Sequence, residues 1–112
     1  MDMAFCSGGR FYLVDWKSNH LGNQVSDYGQ GAVARVMRDN FYVLQYHLYC
    51  LALHLYLGAR LPGYRYDSHF GGVYYFFLRG VDPASGPEYG IYRDRPPEGL
   101  ITDLAAKLIA RI

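Results

Sequence analysis

The chain opens on an apolar-rich run, Met1 to Cys6, and a second run extends from Arg10 to Lys17 beyond Ser7-Gly8-Gly9. Both have strand composition, and the glycine pair is a turn signal because glycine reaches positive φ without steric cost. In the second run Phe11, Tyr12, Leu13, Val14 and Trp16 place apolar side chains on both faces, the pattern of a central strand covered on both sides. The polar stretch from Ser18 to Asp27, broken at Gly22-Asn23, reads as a connection. Ser26 or Asp27 is placed to cap a helix over about 28–38, which Asp39-Asn40 interrupts. A stronger helix is predicted from Phe41 to about Arg60, with Leu44, Leu48, Leu51 and Leu55 as a single apolar stripe and Gly58 and Pro62 helping to end it. Gly72 to Leu78 is a short β-rich run, a further buried strand. The segment 80–95 is loop-like around Pro83, Gly86 and Pro87, with a brief strand at Gly90–Tyr92, and Pro96-Pro97-Glu98 launches a last helix through Ile112. The order strand, strand, two helices, strand, helix predicts an α/β sandwich around a small mixed sheet.

At 112 residues the chain supports one small domain, and a 51% hydrophobic content lets it form a core without staples. Eleven Lys and Arg against ten Asp and Glu give a net charge of +1, so bulk charge does not announce a nucleic-acid binder. Any such contact has to come from local geometry or from another polypeptide. Cys6 and Cys50 form neither a CxxC pair nor a zinc spacing, which reads as ordinary packing in a cytoplasmic protein. The start has no secretory pattern, and no apolar stretch approaches the ~18 residues of a membrane span. Beginning with a strand already in progress, the chain reads as a piece of a longer protein.

The hairpin carries the chemistry. With Gly8 and Gly9 as the central turn residues, Ser7 opposes Arg10, and the pairing continues back until Asp2 faces Asp15. Opposed residues share a sheet face with Cβ atoms ~5 Å apart. Two carboxylates so placed repel by roughly 3 kcal/mol at an effective dielectric of 20, so the pair calls for a cation. Lys17 is one candidate, because strand alternation puts it on the face of Asp15. A divalent metal is the other, and oxygen ligands favour magnesium, manganese or calcium over zinc. Two carboxylates holding a metal, beside an ammonium that stabilises charge on a phosphate, are the parts of a phosphodiester hydrolase.

Asp2, VDWKSN (Val14 to Asn19), QYHLY (Gln45 to Tyr49) and HFGGVYYFFLRGVD (His69 to Asp82) together resemble the nuclease domain of the RecB family, within the PD-(D/E)XK superfamily. The resemblance runs in order over essentially the whole chain. It implies a restriction-endonuclease-like sandwich lacking its opening helix and strand, here the C-terminal part of the domain (1–112). It further implies Asp2 and Asp15 as metal-binding carboxylates, Lys17 as the catalytic lysine, and the Trp16 backbone carbonyl as a main-chain metal ligand. Gln45 and Tyr49 match the family's Gln-x-x-x-Tyr helix motif beside the active site. The implied activity is magnesium-dependent hydrolysis of DNA in an exodeoxyribonuclease V helicase-nuclease of double-strand-break repair and recombination. RecC-like and RecD-like subunits and the RecA recombinase are its implied partners. The family also places a metal-ligating histidine upstream, a role that none of His20, His47, His54 or His69 takes by position, so the chain alone is expected to be inactive.

Simpler accounts stand beside these. An Asp-x-Lys on a strand is by itself usually a surface ion pair, and residues at i and i+4 such as Gln45 and Tyr49 pair on any helix. His20 is placed for a phosphate contact, although loop histidines are commonly only solvated. Tyr74, Tyr75, Phe76 and Phe77 read as core or interface, and Gly71-Gly72 as tight packing or a bulge. The rival to an active nuclease is a catalytically silent domain of the same fold that serves as a structural or interaction module.

Overall fold

The computed structural model describes residues 1–109. Four strands, β1 (Met3–Ser7), β2 (Arg10–Lys17), β3 (Phe70–Phe77) and β4 (Ile91–Asp94), form one sheet in that spatial order. The β1–β2 and β3–β4 pairs are antiparallel and β2–β3 is parallel, so the sheet is mixed, as expected. Helices α1 (Gln30–Asp39), α2 (Tyr42–Arg60) and the single turn α3 (Tyr66–His69) connect the parallel pair, and α4 (Glu98–Ile109) follows β4. The last helix was expected to reach Ile112; its final three residues lie outside the described ones.

The first hairpin forms in the register read from its turn. Gly8 and Gly9 both take positive φ (58° and 79°), the backbone of a two-residue hairpin turn, and Met3 pairs with Val14 through to Ser7 with Arg10. At the other end of β2 the ladder with β3 skips one residue, from Phe11↔Phe70 to Tyr12↔Gly72. Gly71 is therefore the bulged residue. A Cβ on Gly71 would fall 2.4 Å from the Tyr12 ring, and one on Gly72, at φ 115°, 2.5 Å from the Asp94 carbonyl oxygen. The Phe70 carbonyl accepts instead from Arg95 Nε (2.8 Å) and an Arg10 guanidinium nitrogen (3.3 Å).

Several sequence expectations shift. The first helix starts at Gln30, because Val25–Tyr28 forms a separate 3-10 turn. Asp27 caps that turn by accepting from the Gln24 amide (3.0 Å), while Gly29 holds the cap position of α1 without a side-chain bond. The brief strand runs over Ile91–Asp94 and the buried one over Phe70–Phe77. The apolar stripe of α2 lies on the wrong side of the helix: Leu44, Leu48 and Leu55 are 57%, 43% and 45% exposed, and only Leu51 is buried. The face turned to the core carries Tyr46, Cys50, Leu53 and Leu57, the same spacing displaced by two residues.

Coverage of the sheet also differs. Leu13 of β2 and Val73, Tyr75 and Phe77 of β3 pack with Val33 and Met37 of α1, Tyr46, Cys50 and Leu51 of α2, and Ile101 of α4. Among the described residues no helix layer covers the opposite face, where Met3, Phe5, Tyr12, Trp16, Tyr74 and Phe76 line an open concavity of about 600 Å³. The apolar residues of β2 point both ways, as expected, but a layer packs on one side only.

Candidate active site

The C-terminal end of β2 and the first turn of α2 meet at one end of the sheet. Asp15 and Lys17 alternate onto the helix-covered face of β2, and the parallel register sets Tyr75 of β3 beside Asp15. Lys17 Nζ lies 2.8 Å from Asp15 Oδ2, and Asp15 is only 3% exposed. That oxygen, although buried, has no hydrogen-bond partner beyond the ion contact. Asp2 arrives from the strand side: its amide donates to the Val14 carbonyl (3.1 Å), and its Oδ2 accepts from the Trp16 amide (2.9 Å).

The two carboxyl groups are close enough to titrate as a pair. A hydrogen bond with Asp15, and then the Trp16 amide, hold Asp2 below the usual carboxylate range. Burial, and then the bond to Asp2, push Asp15 above it, against the pull of Lys17. Two carboxylates accept only, so what joins them is a proton or a cation. Asp2 and Asp15 thus converge on one side of β2.

Around Lys17 the structure supplies groups that sequence reasoning missed. The Tyr42 ring lies 4.1 Å from Nζ and the Tyr75 ring 5.6 Å, and the two rings stack at 6.0 Å. The Tyr42 hydroxyl donates to Asn19 Oδ1 (3.2 Å), just past the end of β2. The Tyr75 hydroxyl donates to Gln45 Oε1 (2.6 Å), which anchors the Gln45 amide through its oxygen. Burial and then the charge of Asp15 push the Tyr75 phenol upward, so it stays a donor at neutral pH. Tyr49 stands one turn beyond Gln45, 44% exposed. Tyr42, Gln45 and Tyr49 fall at i, i+3 and i+7, a helical spacing that would have found Tyr42. No comparable signal marks Tyr75, because parallel strands have no shared turn to set their register.

The remaining candidates sit elsewhere. The Trp16 side chain is on the open sheet face; its amide points toward Asp2, and in an extended strand the carbonyl of the same residue points the same way. His20 contacts Asn23 (3.1 Å), His47 the Val43 carbonyl (2.7 Å) and His54 the Tyr64 hydroxyl (2.7 Å). Among the described residues no three His, Cys, Asp or Glu side chains group to hold a metal. The hard oxygens of Asp2 and Asp15 suit magnesium, and the buried Asp15 Oδ2, which meets the Lys17 ammonium and no other donor, is an oxygen that a divalent cation would share. No described helix is long and apolar enough to cross a membrane.

Fold and site together define an α/β protein with an acidic, lysine-bearing site at the end of a mixed sheet. No family model matches the chain. Its sequence is 54% identical over 101 residues to the RecBCD enzyme subunit RecB of Escherichia coli (strain K12), covering 90% of this chain and 8% of that protein. It is 46% identical over 104 residues to the RecB subunit of Haemophilus influenzae (93% and 8%) and 37% identical over 120 to that of Mycolicibacterium smegmatis (98% and 11%). The chain belongs to the RecB family and spans about a tenth of the length of these relatives.

Proposed function

We propose that this chain is the catalytic part of a RecB-type nuclease domain of the PD-(D/E)XK class, hydrolysing DNA phosphodiesters with magnesium within an exodeoxyribonuclease V assembly. The observation that carries the reading is the grouping of Asp2, Asp15 and Lys17, with a buried Asp15 oxygen that meets the Lys17 ammonium at 2.8 Å and no other donor. Relatives named as RecBCD subunits support a place in DNA repair and recombination, beside RecC-like and RecD-like subunits; contact with a RecA-type recombinase is part of the same proposal and rests on the family resemblance alone.

A magnesium ion held by Asp2, Asp15 and the Trp16 carbonyl would polarise the scissile phosphate and acidify a bound water. The residues of the chain do the rest. The Lys17 ammonium neutralises charge that develops on the phosphate oxygens. The Gln45 amide, anchored through its oxygen, would offer Nε2 to a phosphate or water, and Tyr49 stands one helical turn further along α2. Burial of Asp15 lowers the local dielectric and strengthens each of these contacts.

The alternative, a catalytically silent interaction module, gains from the two-carboxylate ligand count. Degradation of linear DNA by a RecB-length polypeptide carrying this chain separates the two. Asp15→Ala is expected to abolish cleavage, and Lys17→Ala to reduce turnover by roughly 10²-fold or more with metal dependence retained. Parent-level cleavage in both variants would leave only the silent module.

A further inference from the structure

Lysine is a poor choice for a fixed point of charge. Its four-carbon stem has ample rotamer freedom, and an ammonium that wanders offers little at the moment of reaction. Among the described residues the charged partner of Lys17 is Asp15 Oδ2, at 2.8 Å. In the nuclease reading that same oxygen is offered to a divalent cation, which would weaken its hold on the ammonium by competition for the same electrons. Something that does not bind metal has to keep Nζ in place.

We propose that Tyr42 is the positioning residue for Lys17, holding the ammonium by its ring face; the inference rests on the nuclease reading and deepens it. Three observations carry it. Nζ lies 4.1 Å from the Tyr42 ring centroid, well inside the distance at which a cation is attracted to an aromatic face. The ring is itself fixed on both sides, by stacking on Tyr75 at 6.0 Å and by the hydroxyl's bond to Asn19. The ammonium is largely withdrawn from water, with the lysine side chain 17% exposed, which strengthens a cation–π contact relative to an exposed one. Tyr42 opens α2 and Gln45 follows one turn later, so the same helix start aims both the wall behind Lys17 and the amide beside it. Loss of the hydroxyl alone should matter little, because stacking on Tyr75 still holds the ring, whereas loss of the π-face should matter much.

The test uses a RecB-length polypeptide carrying this chain, with Tyr42 replaced by Phe, by a series of fluorinated phenylalanines that keep the ring's shape and drain its π-face, and by Leu. Cleavage of linear DNA should stay within about 3-fold of the parent for Tyr42→Phe, fall stepwise along the fluorinated series, and drop about 10-fold or more in kcat with KM unchanged for Tyr42→Leu. An activity-free readout accompanies it in the metal-free protein: the Lys17 Cε protons should be shifted upfield by the ring in parent and Tyr42→Phe, and released in Tyr42→Leu. Equal kcat across the fluorinated series, or Lys17 protons without a ring shift in the parent, would overturn the positioning role. Lys17→Ala keeps the two readings apart. If it cleaves like the parent, the nuclease reading falls and the inference with it; if it is inactive while the fluorinated series is flat, only the role of Tyr42 falls.

Discussion

Asp15 pays for its position in the fold by titrating where it is least comfortable. Burial raises its carboxyl above the ordinary range, so the folded state binds the proton more tightly than the unfolded chain. Stability from this group is therefore present at low pH and lost as pH rises through the raised value. Asp2 works oppositely, its lowered carboxyl favouring the fold above the carboxylate range and losing that contribution as pH falls. Asp15→Asn should melt progressively higher than the parent as pH climbs from acid to neutral, and the two should converge at low pH. A constant difference across that range, followed by calorimetry or circular dichroism, would mean that Asp15 is not strained by its charge. The convergence of Asp2 and Asp15 was legible in sequence because a two-residue glycine turn fixes the register to its far end. The surroundings of Lys17 were not, since Tyr42, Tyr75 and Asn19 come from three segments whose meeting depends on the parallel pairing.

Among the elements, α2 shows what periodicity can and cannot decide. Its 19 residues are apolar on almost every side, so more than one stripe satisfies helical spacing. Leucine draws the eye to Leu44, Leu48, Leu51 and Leu55, yet the core takes the face of Tyr46, Cys50, Leu53 and Leu57. Tyr46 succeeds there because its hydroxyl finds Asp94 (2.5 Å) and Tyr92 (3.1 Å), the polar partners that a buried tyrosine needs. Burial of the Cys50 thiol pushes its pKa up to about 12, which leaves it an inert packing group. Leu51→Ala and Leu57→Ala should each cost ~2–5 kcal/mol in denaturant unfolding, whereas Leu48→Ala should stay within about 0.5 kcal/mol. Equal losses at Leu48 and Leu51 would show that the solvent-facing stripe is covered. The Gly71-Gly72 bulge, by contrast, was readable from composition, as adjacent glycines in a strand mark a close backbone approach.

For the whole molecule, a chain 45 × 33 × 20 Å in extent has room for one sheet and one helix layer. The apolar pattern of β2 anticipated a second covered face, and that half of the expectation depends on atoms beyond these strands. Trp16, the only tryptophan, stands on the open face at 41% exposure. In dilute solution of this chain its fluorescence should be readily quenched by acrylamide, and a quench-resistant, blue-shifted signal would indicate that the face is closed. The α/β class, the mixed sheet and the Asp15–Lys17 pairing were legible in the sequence; which face stays open follows from tertiary packing. Whether that geometry serves a metal is the central question, and manganese titration of a RecB-length polypeptide carrying this chain asks it most directly. The account predicts saturable binding at a site that Asp15→Asn abolishes and Lys17→Ala leaves largely intact. Manganese binding indifferent to Asp15→Asn would contradict it.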